Sequence, residues 1–514
     1  MVPGPPTLAT CKNMADNGTK YLCYRPDMPQ IQLSKNKNMD EIKDKLDQLR
    51  CHFTWELLFE DTEMPDLENR ILDEIEFLDT KYKAGIHNLL AYVKHLKGQN
   101  QEALESLKEA EDLIQQEHDI QSDVRSLVTW GNYAWLYYHM GRLAEAQAYL
   151  DKVENTCMKF AAPSCYRMEC PQMDGEEGWA LLKCGRKNYE RAKACFEKAL
   201  AEDPENPEFS TGYAITMYRL DSLNMATETS EAFCLQPLKE AIRLNPEDVY
   251  IKVLLALKLQ DLGQEADGEK YIEEALNNTS SQTYVFRYAG KFYRRKGCLD
   301  KALQLLKMAQ QATPSSAFLH HQIGLCYKAF TIKIKRAANW QCRGQDRENV
   351  DKMVRLAIFH FQLALEQKPT FDIAYIHLAS MYIEAGDYRK AEDTYQKVFS
   401  SISLDEEKLQ KIHFHYGQFQ EYQKKSEVKA IIQYLKAVKI EKMSLTREKS
   451  INALEKLAVR KLSRNALDVE SLSILGFIYK VKGELNKALE YYEQALRLAA
   501  DFENTGTGFL GVEI

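Results

Sequence analysis

Several side chains recur at helical spacing in a pattern suited to an anionic ligand. Arg70, Glu74 and Leu78 share one helix face at i, i+4 and i+8, as do Trp179 with Lys183 and Ile215 with Arg219 at i, i+4, and Arg287 with Arg294 at i, i+7. Arginine suits phosphate because its planar fork donates two parallel hydrogen bonds and keeps its charge. Taken singly, each Arg fits a solvated surface position, and Trp179 fits the bulky apolar position of a packed helix. Glu176 and Glu177 before the indole, and Lys183 one turn after it, argue against a wholly buried face. As a set on successive helices, these groups can converge on one lumen.

The chemistry needed for catalysis has no counterpart here. The chain carries no P-loop, GxSxG, HExxH, or GxGxxG after a strand. Cys157, Cys165 and Cys170 are the nearest approach to a metal site, but seven- and four-residue gaps without a matched His pair suit zinc poorly. His320 and His321 lie on a repeat helix, where a packed or hydrogen-bonded imidazole is expected. No enzyme and no resident metal are expected.

The elements that position these residues follow from a repeat. A period of about 34 residues places a small residue, an aromatic, a Gly, an Ala and a second large apolar residue at fixed offsets. One copy reads Ala379, Tyr382, Gly386, Ala391 and Tyr395; another Gly476, Tyr479, Gly483, Ala488 and Tyr492. Further copies are Gly290, Tyr293, Gly297, Ala302, Leu306 and Pro314, and Trp130, Ala134, Tyr137, Gly141, Ala146 and Leu150. The small residue lets two helices approach, the Gly ends the first, and a Pro closes the second. This is the tetratricopeptide repeat, so the fold class is an all-α superhelix (α-solenoid) of about nine or ten repeats, whose first helices line the concave side. Pro204, Pro246, Pro314 and Pro369 sit where repeats should end, and segments 221–236 and 333–355 interrupt the pattern as expected extra helices or loops. The expected organisation is a disordered tail over 1–38, an N-terminal repeat unit over 39–260, central repeats with an inserted helix over 261–420, C-terminal repeats over 421–504 and a tail over 505–514.

Composition narrows the setting. With 514 residues, 45% hydrophobic and 28% charged, the chain is too apolar for disorder and long enough for an extended array. No apolar run approaches the roughly 20 residues that span a bilayer, so no membrane partner is expected. Pro3, Pro5 and Pro6 stand where a signal peptide would be apolar, and twelve cysteines without a CxxC pair fit a reducing, cytosolic setting. The net charge of −7 argues against indiscriminate nucleic-acid binding. It is unevenly spread, however: residues 101–126 hold eight acidic against two basic residues, and 422–465 twelve basic against four acidic.

The runs QLRCHFTWEL (48–57), GIHNLLAYVKHLKGQN (85–100), EEGWALLKCG (176–185), SSQTYVFRYA (280–289), HHQIGLCYKA (320–329) and EYYEQALRLAADFEN (490–504) are far more specific than the repeat consensus. Over about residues 40–504 the chain resembles the interferon-induced proteins with tetratricopeptide repeats, most closely the subgroup that binds capped RNA. The resemblance implies an antiviral, cytoplasmic, non-catalytic protein whose superhelix encloses a basic channel for the 5′ ends of single-stranded RNA. It further implies a preference for caps lacking 2′-O-methylation or for 5′-triphosphates, and a block of translation through competition with cap-binding factors.

Residue by residue, Arg70, Thr80, Lys183 and Arg287 resemble the family's contacts to the 5′ phosphate bridge. Trp179 resembles the aromatic on which the cap guanine stacks, with Leu78 and Ile215 closing the apolar side. Tyr189 and Arg219 resemble the pair near the first ribose, and Tyr250, Arg294, His321, Gln322 and Lys368 the contacts to later nucleotides. Glu74 stands where the cap-binding member has Gln, and Asp248 where it has Asn. A carboxylate there lowers phosphate affinity or recruits a divalent cation such as Mg²⁺. Tyr492 and Leu496 resemble the motif through which this family pairs with itself and with sister members. The alternative reading of the same basic first helices is a co-chaperone-like scaffold that binds acidic peptide tails.

Overall fold

Glycine and proline punctuate this chain at the spacing of a helical hairpin, and the computed structural model folds accordingly. It describes residues 39–59, 63–78, 80, 82–116, 122–223, 233–277, 282–401 and 404–504. Both expected tails and most of the 221–236 interruption lie outside the described residues. Among the described residues there are 23 α-helices and no strand.

Two helices precede the repeats: α1 (39–46) and α2 (Met64–Phe77). Seven hairpins follow: α3 (Lys83–Leu96) with α4 (Asn100–Gln116), α5 (Ser122–His139) with α6 (Leu143–Lys159), α7 (Pro171–Cys184) with α8 (Tyr189–Glu202), α9 (Pro207–Leu223) with α10 (Leu235–Leu244), α11 (Val249–Asp261) with α12 (Glu265–Asn277), α13 (Gln282–Lys296) with α14 (Leu299–Ala312), and α15 (Ala317–Ala337) with α16 (Gln345–Gln367). Then come α17 (Asp372–Glu384) with α18 (Tyr388–Ser401), α19 (Glu406–Tyr422) with α20 (Glu427–Lys439), the single helix α21 (Leu445–Arg464), and α22 (Val469–Val481) with α23 (Leu485–Asn504).

The turn chemistry accounts for the hairpins. Gly141, Gly297, Gly386 and Gly483 each end a first helix with φ between 75° and 88°, the left-handed region that disfavours a side chain. Pro204, Pro246, Pro314 and Pro369 follow the ends of α8, α10, α14 and α16. At Gly290 the reason for a small residue is contact: a Cβ there would stand 2.6 Å from the Leu306 side chain of the paired helix. First helices touch the first helices of neighbouring repeats from α3 through α19 and so form an inner layer, with second helices outside.

The basic segment 333–355 differs from the expected extra helix or loop. It lengthens the α15–α16 hairpin, whose helices run 21 and 23 residues. The segment contains no proline and is rich in Lys, Arg, Ala and Gln, so extending two existing helices needs no new nucleus. Its turn is tight, with Asn339 and Trp340 at φ 47° and 63°.

One hydrophobic core runs from Ile42 to Phe419, and a second joins α20, α21 and α22. The loop after α1 is fastened by Arg50, whose guanidinium binds Glu169, Asp174 and Glu177, each at 2.8 Å. α2 stands apart from the hairpins. It packs on α3 and reaches across the interior to α13, so the inner layer encloses a helix as well as a space.

Candidate nucleic-acid interface

Five helices converge on an internal cavity of about 420 Å³, lined from α2, α7, α9, α11 and α13 and from the stretch after α2. Its aromatic wall begins with Trp179, only 4% exposed. The indole is stacked on Tyr82 (centroids 5.1 Å apart, 23° between planes) and meets the edge of Phe196 at 5.5 Å. Its Nε1 has no hydrogen-bond partner among the described residues. Leu78 and Ile215 also line the cavity, as do Tyr250 and Tyr284, which pack edge to face.

The burial of Trp179 corrects one expectation. Glu176 and Glu177 do not mark a solvated face: Glu176 is buried, and Glu177 is held by Arg50. Nearly the whole of α7 is buried, and Trp179 is both a core residue and a wall of the cavity.

Of the cavity's cations, Lys183 and Arg70 meet carboxylates and Arg219 a hydroxyl. Lys183 donates to Glu74 and lies 5.3 Å from the centre of the Trp179 ring. Arg70 binds Asp66 at 3.0 Å and the Lys183 carbonyl at 3.3 Å, and Arg219 donates to the Tyr189 hydroxyl at 3.4 Å. Arg287, 6% exposed, donates to Asp73 (3.3 Å) and Thr313 (3.1 Å) and covers the Tyr284 ring at 4.7 Å. Lys368 reaches Asp66 at 2.8 Å. Burial alone would raise Asp66, but Arg70 and Lys368 hold it below the ordinary carboxylate value. Burial keeps Asp73 above its ordinary value despite Arg287.

The two carboxylates that depart from the family pattern have structural work. Glu74 lines the cavity but faces the ammonium of Lys183. Asp248 caps α11, accepting from the backbone N–H groups of Tyr250 and Ile251 at 3.0 Å each.

Of the residues singled out from sequence, Arg70, Glu74, Leu78, Thr80, Trp179, Lys183, Ile215, Arg219 and Tyr250 line one cavity. Tyr189 and Arg287 adjoin it through Arg219 and Tyr284. Arg294, His321 and Gln322 lie further along the inner layer, where Arg294 donates to Gln322 at 3.1 Å. His321 is 6% exposed, and neither ring nitrogen has a hydrogen-bond partner among the described residues. Burial, then Arg294, Lys328 and Lys291, push its imidazole down to about 3.

Sequence reasoning missed Tyr82, Tyr284, Asp66 and Asp73. Tyr284 was within reach, since Tyr284, Arg287, Lys291 and Arg294 form one stripe on α13. Cys157 is buried and Cys165 exposed, and no cluster of three or more metal-ligating side chains occurs among the described residues. Among those residues, no helix is long and apolar enough to cross a membrane.

These features define a class: a tetratricopeptide-repeat superhelix with an internal cavity lined by cationic and aromatic side chains. Models of the tetratricopeptide repeat match residues 82–158, 185–206, 374–410 and 469–502. The human antiviral innate immune response effector IFIT1 is 70% identical over 473 residues, covering 92% of this chain and 99% of that protein. A solved structure of an IFIT1 monomeric mutant with Gppp-AAAA superposes with a TM-score of 0.86 at 70% identity, covering 89% of this chain and all of that one. The human IFIT1 dimer with PPP-AAAA gives 0.82 at 66% identity, covering 90% of this chain and all of that one. The chain belongs to the family of interferon-induced proteins with tetratricopeptide repeats.

The neutral imidazoles of the inner layer make stability depend on pH. Burial, then Lys328, His321 and His415, push His377 down to about 2. The unfolded chain takes up a proton at these residues near pH 6.5 and the folded chain does not. Stability is therefore full above about pH 6.5 and falls as the pH drops toward the folded values, by up to about 1.4 kcal/mol per unit for each group. The thermal midpoint should fall between pH 7.5 and about 5.5, and His377→Gln should reduce that fall. Equal falls in the two proteins would remove His377 from the account.

Proposed function

We propose that this chain binds the 5′ ends of single-stranded RNA, as caps lacking 2′-O-methylation or as 5′-triphosphates, and so prevents translation of non-self RNA in antiviral defence. It acts by binding alone, in the cytoplasm. The observation that carries the reading is the cavity itself, where a pinned indole beside Lys183 shares the lining with Arg70 and Arg219. A guanine ring fits the aromatic wall and a polyphosphate fits the cations. IFIT1 relatives solved with Gppp-AAAA and PPP-AAAA support it. Base stacking on such a wall contributes about 1–3 kcal/mol. A site that fits closely around the ribose 2′-hydroxyl rejects its methyl ether through a lost hydrogen bond and a clash. An acidic peptide would use the cations but leave the aromatic wall without a partner.

Gel shifts with three RNAs of one sequence test this. Triphosphate and unmethylated-cap RNA should bind, and 2′-O-methylated-cap RNA should bind at least about tenfold more weakly. Arg219→Ala should weaken the first two by about 10- to 100-fold, the worth of a charge-assisted hydrogen bond, with the fold intact by circular dichroism. Arg219 is the cleaner probe, because losing Arg287 would also strand Asp73. Equal binding of all three RNAs, or an unaltered Arg219→Ala protein, would refute the proposal.

Lys183 already neutralises Glu74, so the site needs no Mg²⁺. Glu74→Gln frees the ammonium for phosphate and should tighten triphosphate RNA severalfold, equally with and without magnesium. Tightening by magnesium in the wild type alone would restore a metal at this position.

The C-terminal repeat suits self-pairing and pairing with sister members. Leu485, Leu489 and Leu496 are 65%, 60% and 70% exposed and share a face of α23. Tyr492 faces inward instead, its ring against Gly476, while Tyr491 stacks on Tyr479. Two-fold pairing would bury such a stripe. Human IFIT1 forms a dimer. Leu489→Glu with Leu496→Glu should give a monomer in sedimentation at all concentrations while RNA binding persists. A persistent dimer would place the interface elsewhere.

A further inference from the structure

Several glycines of the first helices answer to the repeat. Gly290, Gly324, Gly417 and Gly476 each face the side chain of a paired second helix, where a Cβ would meet Leu306, Phe361, Tyr434 or Tyr492. Gly85 does not. The small residue of its hairpin is Ala91, seven residues before Gly98 as Ala134 is before Gly141. The backbone does not ask for glycine either, since Gly85 lies within α3 and has no positive φ. At such a position glycine is less favourable than alanine. Its reason is Tyr82, the residue that leads into the same helix. A Cβ at position 85 would fall on the Tyr82 ring, against Cζ, Cε2 and the hydroxyl oxygen.

That ring has little freedom to yield. The Tyr82 N–H donates to Thr80 Oγ1 at 3.2 Å, and its carbonyl accepts from the Ile86 N–H at 3.2 Å, so the main chain is anchored. The hydroxyl donates to the Glu176 carbonyl of α7 at 3.3 Å, and the residue is 3% exposed. Trp179 stacks on the ring, and Tyr82 itself lines the 5′-end cavity. A side chain at 85 must displace the ring through close-packed surroundings, and the open space that the ring adjoins is the cavity. The cations are not tied to this movement: Arg70, Lys183 and Arg219 bond to Asp66, Glu74 and Tyr189.

We propose that Gly85 sets the width of the guanine slot, and with it the preference between capped and triphosphate 5′ ends. It touches no ligand and is a positioning residue that acts through Tyr82 on the wall formed with Trp179. The inference rests on the 5′-end reading above. With glycine at 85 the Tyr82 ring stays clear of the slot, and a guanine reaches the indole. A larger residue moves the ring into the slot and leaves a binder of triphosphate ends, which need only the cations.

The test measures unmethylated-cap and triphosphate RNA of one sequence binding to the full chain over a range of salt. Gly85→Ala should weaken capped RNA by about 10- to 100-fold, the worth of one stacked base. Triphosphate RNA should keep its affinity and its log–log salt slope, because no phosphate contact is lost. Tyr82→Ala removes the ring that relays the clash. In that background Gly85→Ala should weaken capped RNA no further and should raise the thermal midpoint, as alanine in a helix ordinarily does, whereas in the wild type it should lower the midpoint. Where loss of the ring has itself weakened capped RNA, the reversed sign of the midpoint shift still reads the relay. An unaltered ratio of capped to triphosphate affinity in Gly85→Ala, equal loss of both RNAs, or a midpoint that falls in both backgrounds would overturn the proposal. A wild type that binds 5′-hydroxyl RNA as well as either of these would instead defeat the 5′-end reading, and the midpoint comparison would still judge the contact between Gly85 and Tyr82.

Discussion

Buried cations need counter-charge, and for three cations around the inner cavity α2 supplies it. Asp66, Asp73 and Glu74 of α2 meet Lys368, Arg287 and Lys183, partners 302, 214 and 109 residues distant in sequence. An unpaired buried charge costs several kcal/mol, so removing either side of such a pair is worse than never having built it. α2 is therefore more than a lead-in to the repeats. It lies inside the superhelix and ties the N-terminal hairpins to α13 and to the turn after α16, fixing the width of the opening that the first helices surround.

This arrangement makes the site one of exchange. A phosphate arriving at Arg287 or Lys183 would replace a carboxylate, so the net gain would be the difference between two ion pairs. The aromatic wall works differently. Tyr82 and Phe196 hold the Trp179 ring before any ligand arrives, and a ring already immobilised has little entropy left to lose. Charge would select the 5′ end, and the prepaid order of the wall would convert that encounter into affinity.

Local rules made much of this legible. The repeat, its glycine ends and its proline stops follow from periodicity and left-handed φ, and both operate within a few residues. The stripes bearing Arg70, Trp179, Ile215 and Arg287 could be read because helical spacing is also local. What stayed hidden was long-range. Nothing near Asp66 or Asp73 in sequence announces Lys368 or Arg287, and Glu177 looked solvated because its partner, Arg50, is 127 residues away. Asp248, read as a charge facing the ligand, does line the cavity, but it also caps α11, a bond to its own backbone that its place opposite an Asn did not suggest. The 333–355 segment misled because a break in a repeat does not say whether the extra residues form a new element or lengthen old ones.

The Asp73–Arg287 pair carries one further consequence, in protons. Asp73 already sits above its ordinary pKa because of burial, with Arg287 as its chief relief. Any polyanion that engages Arg287 both withdraws that relief and adds negative charge nearby, so the carboxyl is driven toward its neutral form. Ligand binding is then coupled to proton uptake, and a calorimetric heat of binding would vary with the ionisation enthalpy of the buffer. By linkage, the protein would hold such a ligand more tightly as the medium becomes mildly acidic.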